Sequence, residues 1–320
     1  MGEESVVVSA SSRQPVRVIL DTDLGSDCDD AGALAVLHVL ANAGEAEILA
    51  CIYSSGINPY GPGCIAAINA WYGRPGIPIG AAVASDLGDP RNDFLEVIAT
   101  NTALYGHNVV TRDDVPELVT VYRRTLAAAP EDSVQIVSIG HTKGLYDLLH
   151  SPADEISPVP GLELVRCKVK TWVAMGGTFP GEKEPGWNFG QNGAARYSRR
   201  LVRDWPTPIV FSGYEIGAAI LTGRSLQATP TRNPVREAYR LWANALVHNR
   251  PSWDQTAVLY AVRGLGNYWI MRRGQCDFDE TGRTEWRDDP QGPHAFLVEK
   301  MLPAALAEII EDLMARVPAR

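Results

Sequence analysis

The chain is short of cysteine, of long apolar runs and of positive charge, and each shortage closes a class. Its five cysteines, Cys28, Cys51, Cys64, Cys167 and Cys276, are scattered through 320 residues without a CxxC pair. An odd, unpatterned set offers no disulfide framework and points to reduced thiols in a cytoplasmic protein. No stretch reaches the roughly 18 apolar residues that a membrane-spanning helix needs. The opening MGEESVVVSASSRQP is acidic and has only three valines as an apolar run, so it does not read as a signal peptide. Lys and Arg together number 29 against 38 Asp and Glu, a net charge of −9. Nucleic-acid binding works by neutralising phosphates with clustered cations, so this balance argues against a nucleic-acid partner. The densest basic run, Arg196, Arg199, Arg200 and Arg203, reads as a solvated helix face. Repeats, low-complexity tracts and linkers are missing too. A 45% hydrophobic and 21% charged composition then describes one globular domain, residues 16–320, behind a flexible lead-in over residues 1–15.

What is present is an alternation of strand and helix signals. Val16 to Leu20 (VRVIL), Glu47 to Tyr53, Ser133 to Ile139, Val169 to Met175 and Ile209 to Ser212 are short β-branched or apolar runs ending in polar residues. Between them, helical spacing begins at Asp29, with acidic residues in the first turn and Gly44 as the stop. It returns in CIAAINAWYG, in GLYDLLHS and in the amphipathic C-terminal segment PAALAEIIEDLMARV. The alternation predicts an α/β fold: a single-domain, doubly wound, mostly parallel sheet flanked by helices. Such sheets bind ligands beyond the carboxyl ends of their strands. The polar clusters fall there: Asp21 to Asp30, Ser54 to Asn58, His141-Thr142, and Gly176 to Asn188.

The first cluster, DTDLGSDCDD, puts five aspartates in ten residues: Asp21, Asp23, Asp27, Asp29 and Asp30. Like charges so close need a cation, a bound proton or full solvation. Oxygen-only ligation suits Ca²⁺, with Mg²⁺ second, and Cys28 is a poor donor to either. Gly25 permits the turn that would bring both ends of the segment around one ion.

The segment VILDTDLGSDCDDAGAL resembles the N-terminal signature of the inosine–uridine-preferring nucleoside hydrolases, with two extra residues between Gly25 and the last Asp pair. The resemblance continues to about Ala261 through SSGINP, SIGHTKGLYDLL, VAMGGTF with WNF, and SWDQTAVLYAV. It implies hydrolysis of the N-glycosidic bond of a ribonucleoside or related ribosyl compound by a metal-activated water. Asp23, Asp30, Thr142 (through its carbonyl) and Asp254 are then the Ca²⁺ ligands, and Asp23 is also the general base. Asp29, Asn58 and Asn188 match sugar-contacting positions. Asp27 has no counterpart in the shorter motif and is an extra ligand, a sugar contact or a helix cap. Two departures fall on substrate-recognising positions: Trp253 stands where the family has a histidine, and Gly186 where it often has a glutamate. The leaving base is accordingly protonated by His248 or His141, or stabilised by stacking on Trp253 or Trp187. The resemblance also implies a small nucleoside-like ligand and a homodimer or homotetramer. A Mg²⁺-dependent phosphohydrolase of the haloacid-dehalogenase kind is the rival enzyme, although Gly25 stands where that family usually has threonine. A non-catalytic homologue that binds sugar or metal is the third reading.

Overall fold

The computed structural model describes residues 14–181, 184–191 and 193–318, so most of the expected lead-in lies outside the described residues. The strands are β1 (Val16–Thr22), β2 (Ala46–Tyr53), β3 (Ile79–Ala81), β4 (Val134–Ser138), β5 (Val169–Met175), β6 (Ile209–Ser212), β7 (Leu221–Thr222), β8 (Arg250–Pro251), β9 (Trp269–Phe278), β10 (Thr284–Asp288) and β11 (His294–Glu299). Nine of them form one sheet in the order β10-β9-β11-β6-β5-β4-β1-β2-β3, and β7 pairs with β8. Every neighbour pair from β3 to β11 is parallel, while β9 runs antiparallel to both β11 and β10.

Both faces of this sheet are covered, and β1 shows how. Side chains alternate along a strand. Val18 and Leu20 therefore enter a core shared with the helices Asp29–Asn42, Gly61–Trp71, Trp253–Arg263 and Pro303–Ala315. Ile19 joins the opposite core, against Leu118–Ala128, Lys143–Leu149 and Gly161–Lys168. A strand buried on both faces reads as an unbroken apolar run, which is why β1, β2 and β4 to β6 were visible in the sequence. β3 has only three residues, and β9 carries Arg272, Arg273, Gln275 and Asp277, so neither presents such a run. The antiparallel extension β9 to β11 was not anticipated for that reason.

The helix Asp29–Asn42 is buried from Asp29 to Leu40, and it ends before Gly44, at φ +73°. It packs closely on Trp253–Arg263: a Cβ on Gly32 would lie 2.5 Å from Gln255 Nε2. This contact brings the N-termini of two helices together at the carboxyl end of β1. Among the described residues no helix is long and apolar enough to cross a membrane.

Candidate active site

Beyond Thr22 the chain must turn sharply to start the next helix, and Gly25 makes that turn at φ +117°. A Cβ there would sit 2.3 Å from Leu95 Cδ1, so glycine is required on two counts. The turn is laced by its own side chains. The Thr22 hydroxyl donates to Asp30 and accepts from the Leu24 N–H at 3.1 Å. Ser26 Oγ donates to Asp23 Oδ2 at 3.3 Å, and the Asp29 N–H donates to Asp27 Oδ1 at 2.9 Å. From the facing helix, the Asp254 N–H donates to Asp29 Oδ2 at 3.2 Å.

Asp23, Asp27, Asp29, Asp30 and Asp254 thereby line one cavity of about 700 Å³. Carboxylate oxygens of Asp27, Asp29 and Asp30 lie within 4.8 Å of one another. Burial, reinforced by the Asp27 charge, pushes Asp23 up to about 7. Burial and the neighbouring carboxylates hold Asp29, Asp30 and Asp254 well above the usual range. Asp27 alone of the five moves the other way. Burial opposes its ionisation, but the Asp29 hydrogen bond and Arg250 outweigh it. Arg250 Nη2 donates to Asp27 Oδ2 at 2.6 Å.

Four buried carboxylates that resist ionisation beside a fifth that does not are a donor set that could hold a hard cation. The chemistry of the donors therefore fits a divalent metal. Asp21 belongs elsewhere. It sits behind the cavity with Tyr122 Oη donating to Oδ2 at 2.6 Å, and burial pushes it up to about 7.

The other expected site residues divide. Asn188 lines the cavity; its Nδ2 donates to the carbonyls of Ile139 (3.1 Å) and Met175 (3.2 Å), leaving a buried Oδ1 without a partner. Trp187 also lines it and donates from Nε1 to Asp23 Oδ2 at 3.3 Å. Trp253 lines it while stacked on Tyr214, with centroids 5.3 Å apart.

Thr142, Asn58 and His248 are not among the lining residues. Thr142 precedes the helix Lys143–Leu149; its carbonyl accepts the Tyr146 N–H at 3.0 Å and its hydroxyl pairs with Ser198 Oγ at 2.9 Å. Ile139 is the residue of that segment at the cavity wall. The Asn58 side chain is spent on its loop, donating to the Arg91 carbonyl at 3.1 Å and accepting from the Tyr60 N–H at 2.9 Å. His248 is exposed at the end of the short helix Ala245–His248. His141 is fully buried behind Asp23, with Nε2 3.2 Å from Asp23 Oδ2 but off the line of a hydrogen bond, and burial lowers it to about 4.

Arg91, Arg250, Met175 and Tyr214 line the cavity as well and were not anticipated. Arg250 carries no signal of its own in the sequence, because its partner Asp27 is 223 residues away.

By sequence, no family model and no curated protein matches this chain. By structure, it is similar to an inosine–uridine preferring nucleoside hydrolase from Bacillus anthracis, with a TM-score of 0.70 at 17% identity over 94% of this chain and 100% of that one. This chain has the nucleoside hydrolase fold. An inosine–guanosine nucleoside hydrolase matches with a TM-score of 0.67 at 15% identity, over 95% of this chain and 99% of that one. The type III effector protein XopQ, solved in complex with adenosine diphosphate ribose, matches with a TM-score of 0.66 at 15% identity over 95% and 93%.

Proposed function

We propose that this protein hydrolyses the N-glycosidic bond of a ribosyl compound with a divalent cation, Ca²⁺, in its carboxylate cavity. The observation that carries the reading is the five carboxylates and the open acceptor of Asn188 in one cavity at the carboxyl end of a nucleoside hydrolase sheet. Asp23, Asp30 and Asp254 would hold the cation. When bound, it supplies a polarised water of lowered pKa. Asp23 takes the proton of the attacking water; hydrogen bonds from Ser26 and Trp187 to its Oδ2 hold the carboxylate in place. Asp29 and Asn188 Oδ1 accept hydrogen bonds from the sugar hydroxyls, charge-assisted in the case of Asp29. The oxocarbenium-like character of glycoside cleavage then develops beside anionic groups. Among the described residues no histidine lines the cavity. The departing ring accordingly rests on the Trp253–Tyr214 face rather than on a histidine acid.

Incubation with a panel of nucleosides, nucleotides and a generic phosphate ester tests this, with Ca²⁺ and after chelation. Reducing sugar should appear only with metal. Inorganic phosphate as the only product would transfer the site to a phosphohydrolase. A second reading, ribosyl binding without turnover, draws on the effector neighbour solved with adenosine diphosphate ribose. It requires ligand binding by the metal-loaded protein and no product.

A further inference from the structure

We infer that the ribosyl ligand carries a phosphate ester, received by Arg250 and Arg91 at the mouth of the cavity; the inference rests on the ribosyl reading above. Charge in the cavity is graded. Its floor is Asp23, Asp29, Asp30 and Asp254, none more than 4% exposed. Its mouth holds Arg250 and Arg91, with side chains 25% and 48% exposed. Glu184, exposed at the same rim, is the opposing charge, and Asp27 and Asp89 are already paired.

Both arginines have donors to spare. The Arg250 guanidinium packs 4.4 Å from the Trp242 ring and 4.8 Å from the Trp253 ring, which fixes its plane. Only its Nη2 reaches Asp27, and its Nε is buried without a hydrogen-bond partner. A buried N–H left unpaired is costly unless a ligand completes it. Arg91 spends Nε and Nη2 on the same Asp89 oxygen, at 2.8 and 2.7 Å. Its backbone carbonyl accepts from Asn58 Nδ2 at 3.1 Å, which ties down the loop that carries Arg91. Both guanidiniums belong to side chains that line the same cavity as Asp27. Planar guanidinium forks match phosphate oxygens in geometry and charge. If Arg250 served only to neutralise Asp27, one N–H would suffice, and phosphate would not improve binding.

Isothermal titration of the full Ca²⁺-loaded chain with ribose, ribose 5-phosphate and inorganic phosphate decides between these. Ribose 5-phosphate should bind at least about tenfold more tightly than ribose, and more tightly than inorganic phosphate. Arg250→Gln and Arg91→Gln should each cut that preference by about fivefold or more, and Arg250→Lys should restore it only in part, because it lacks the fork. Arg91 is half exposed, so its variant keeps the test open if Arg250→Gln fails to fold. Equal binding of ribose and ribose 5-phosphate by the parent protein would overturn the inference. So would an unchanged preference in the folded variants, or inorganic phosphate binding as tightly as the sugar phosphate. Since binding needs no turnover, failure to cleave any glycosidic bond would count against the hydrolase reading and leave this one standing.

Discussion

Asp23 combines three properties that a metal-assisted base needs. It is buried, it resists ionisation without a cation, and one of its oxygens is fixed by Ser26 and Trp187. Asp23→Asn should therefore lower kcat by about a thousandfold, within the usual range for losing a general base. It should also raise the thermal midpoint of the metal-free protein at pH 8, because it removes a charge that the fold holds unfavourably. The same groups set a pH dependence. Burial pushes Asp21 and Asp23 up to about 7 in the folded chain, above the usual carboxylate range, so the folded state binds more protons than the unfolded state across that interval. Stability of the metal-free protein should accordingly rise as pH falls from 8 to about 6.5. Below that, His38 and His141, lowered by burial to about 3 and 4, work in the opposite direction. Saturating Ca²⁺ should flatten the first effect, since the cation replaces the protons. Thermal melts across pH with and without Ca²⁺ check both statements. The cavity's carboxylates on the first turn were legible in DTDLGSDCDD, because clustered aspartates after a buried strand have few alternatives, and Asp254 in SWDQ was legible through the family resemblance. The arginines were not legible, since a lone Arg gives no hint of the acid or ligand it will meet.

At the level of elements, the site depends on the junction of β1 with the helix Asp29–Asn42. Gly25→Ala would place a methyl group 2.3 Å from Leu95 Cδ1 at φ +117°. We expect a loss of about 2 kcal/mol or more, from backbone strain and overpacking together. Ca²⁺ affinity should fall with it, because the displaced turn carries Asp23, Asp27, Asp29 and Asp30. Calorimetric unfolding and Ca²⁺ titration of this variant measure the two losses separately. An unchanged midpoint would show that the turn relaxes without cost. Elements with one strong periodicity were read correctly from the sequence, including β1 and the C-terminal helix Pro303–Ala315. The hairpin strands β9 and β10 escaped because their exposed positions are charged and their pairing is nonlocal. For Thr142 the sequence shows its place after β4 but not its geometry; its carbonyl accepts the Tyr146 N–H in the first turn of the next helix.

At the scale of the whole molecule, a parallel sheet covered on both faces leaves the carboxyl ends of its strands as the place where unlike segments meet. β1, the loop after β3, the turns after β4 and β5, and the segment β8 to Trp253 all contribute to one cavity. The gradient from acidic floor to basic mouth belongs to that assembly and to none of its parts. In the proposed reaction water attacks the sugar carbon of a ribosyl ligand, and a turnover in water enriched in oxygen-18 tests this directly. With Ca²⁺ present, mass spectrometry should find the label in the released sugar, at the carbon that carried the leaving group, and none of it should appear after chelation. Label found in inorganic phosphate instead, with the glycosidic bond intact, would contradict it.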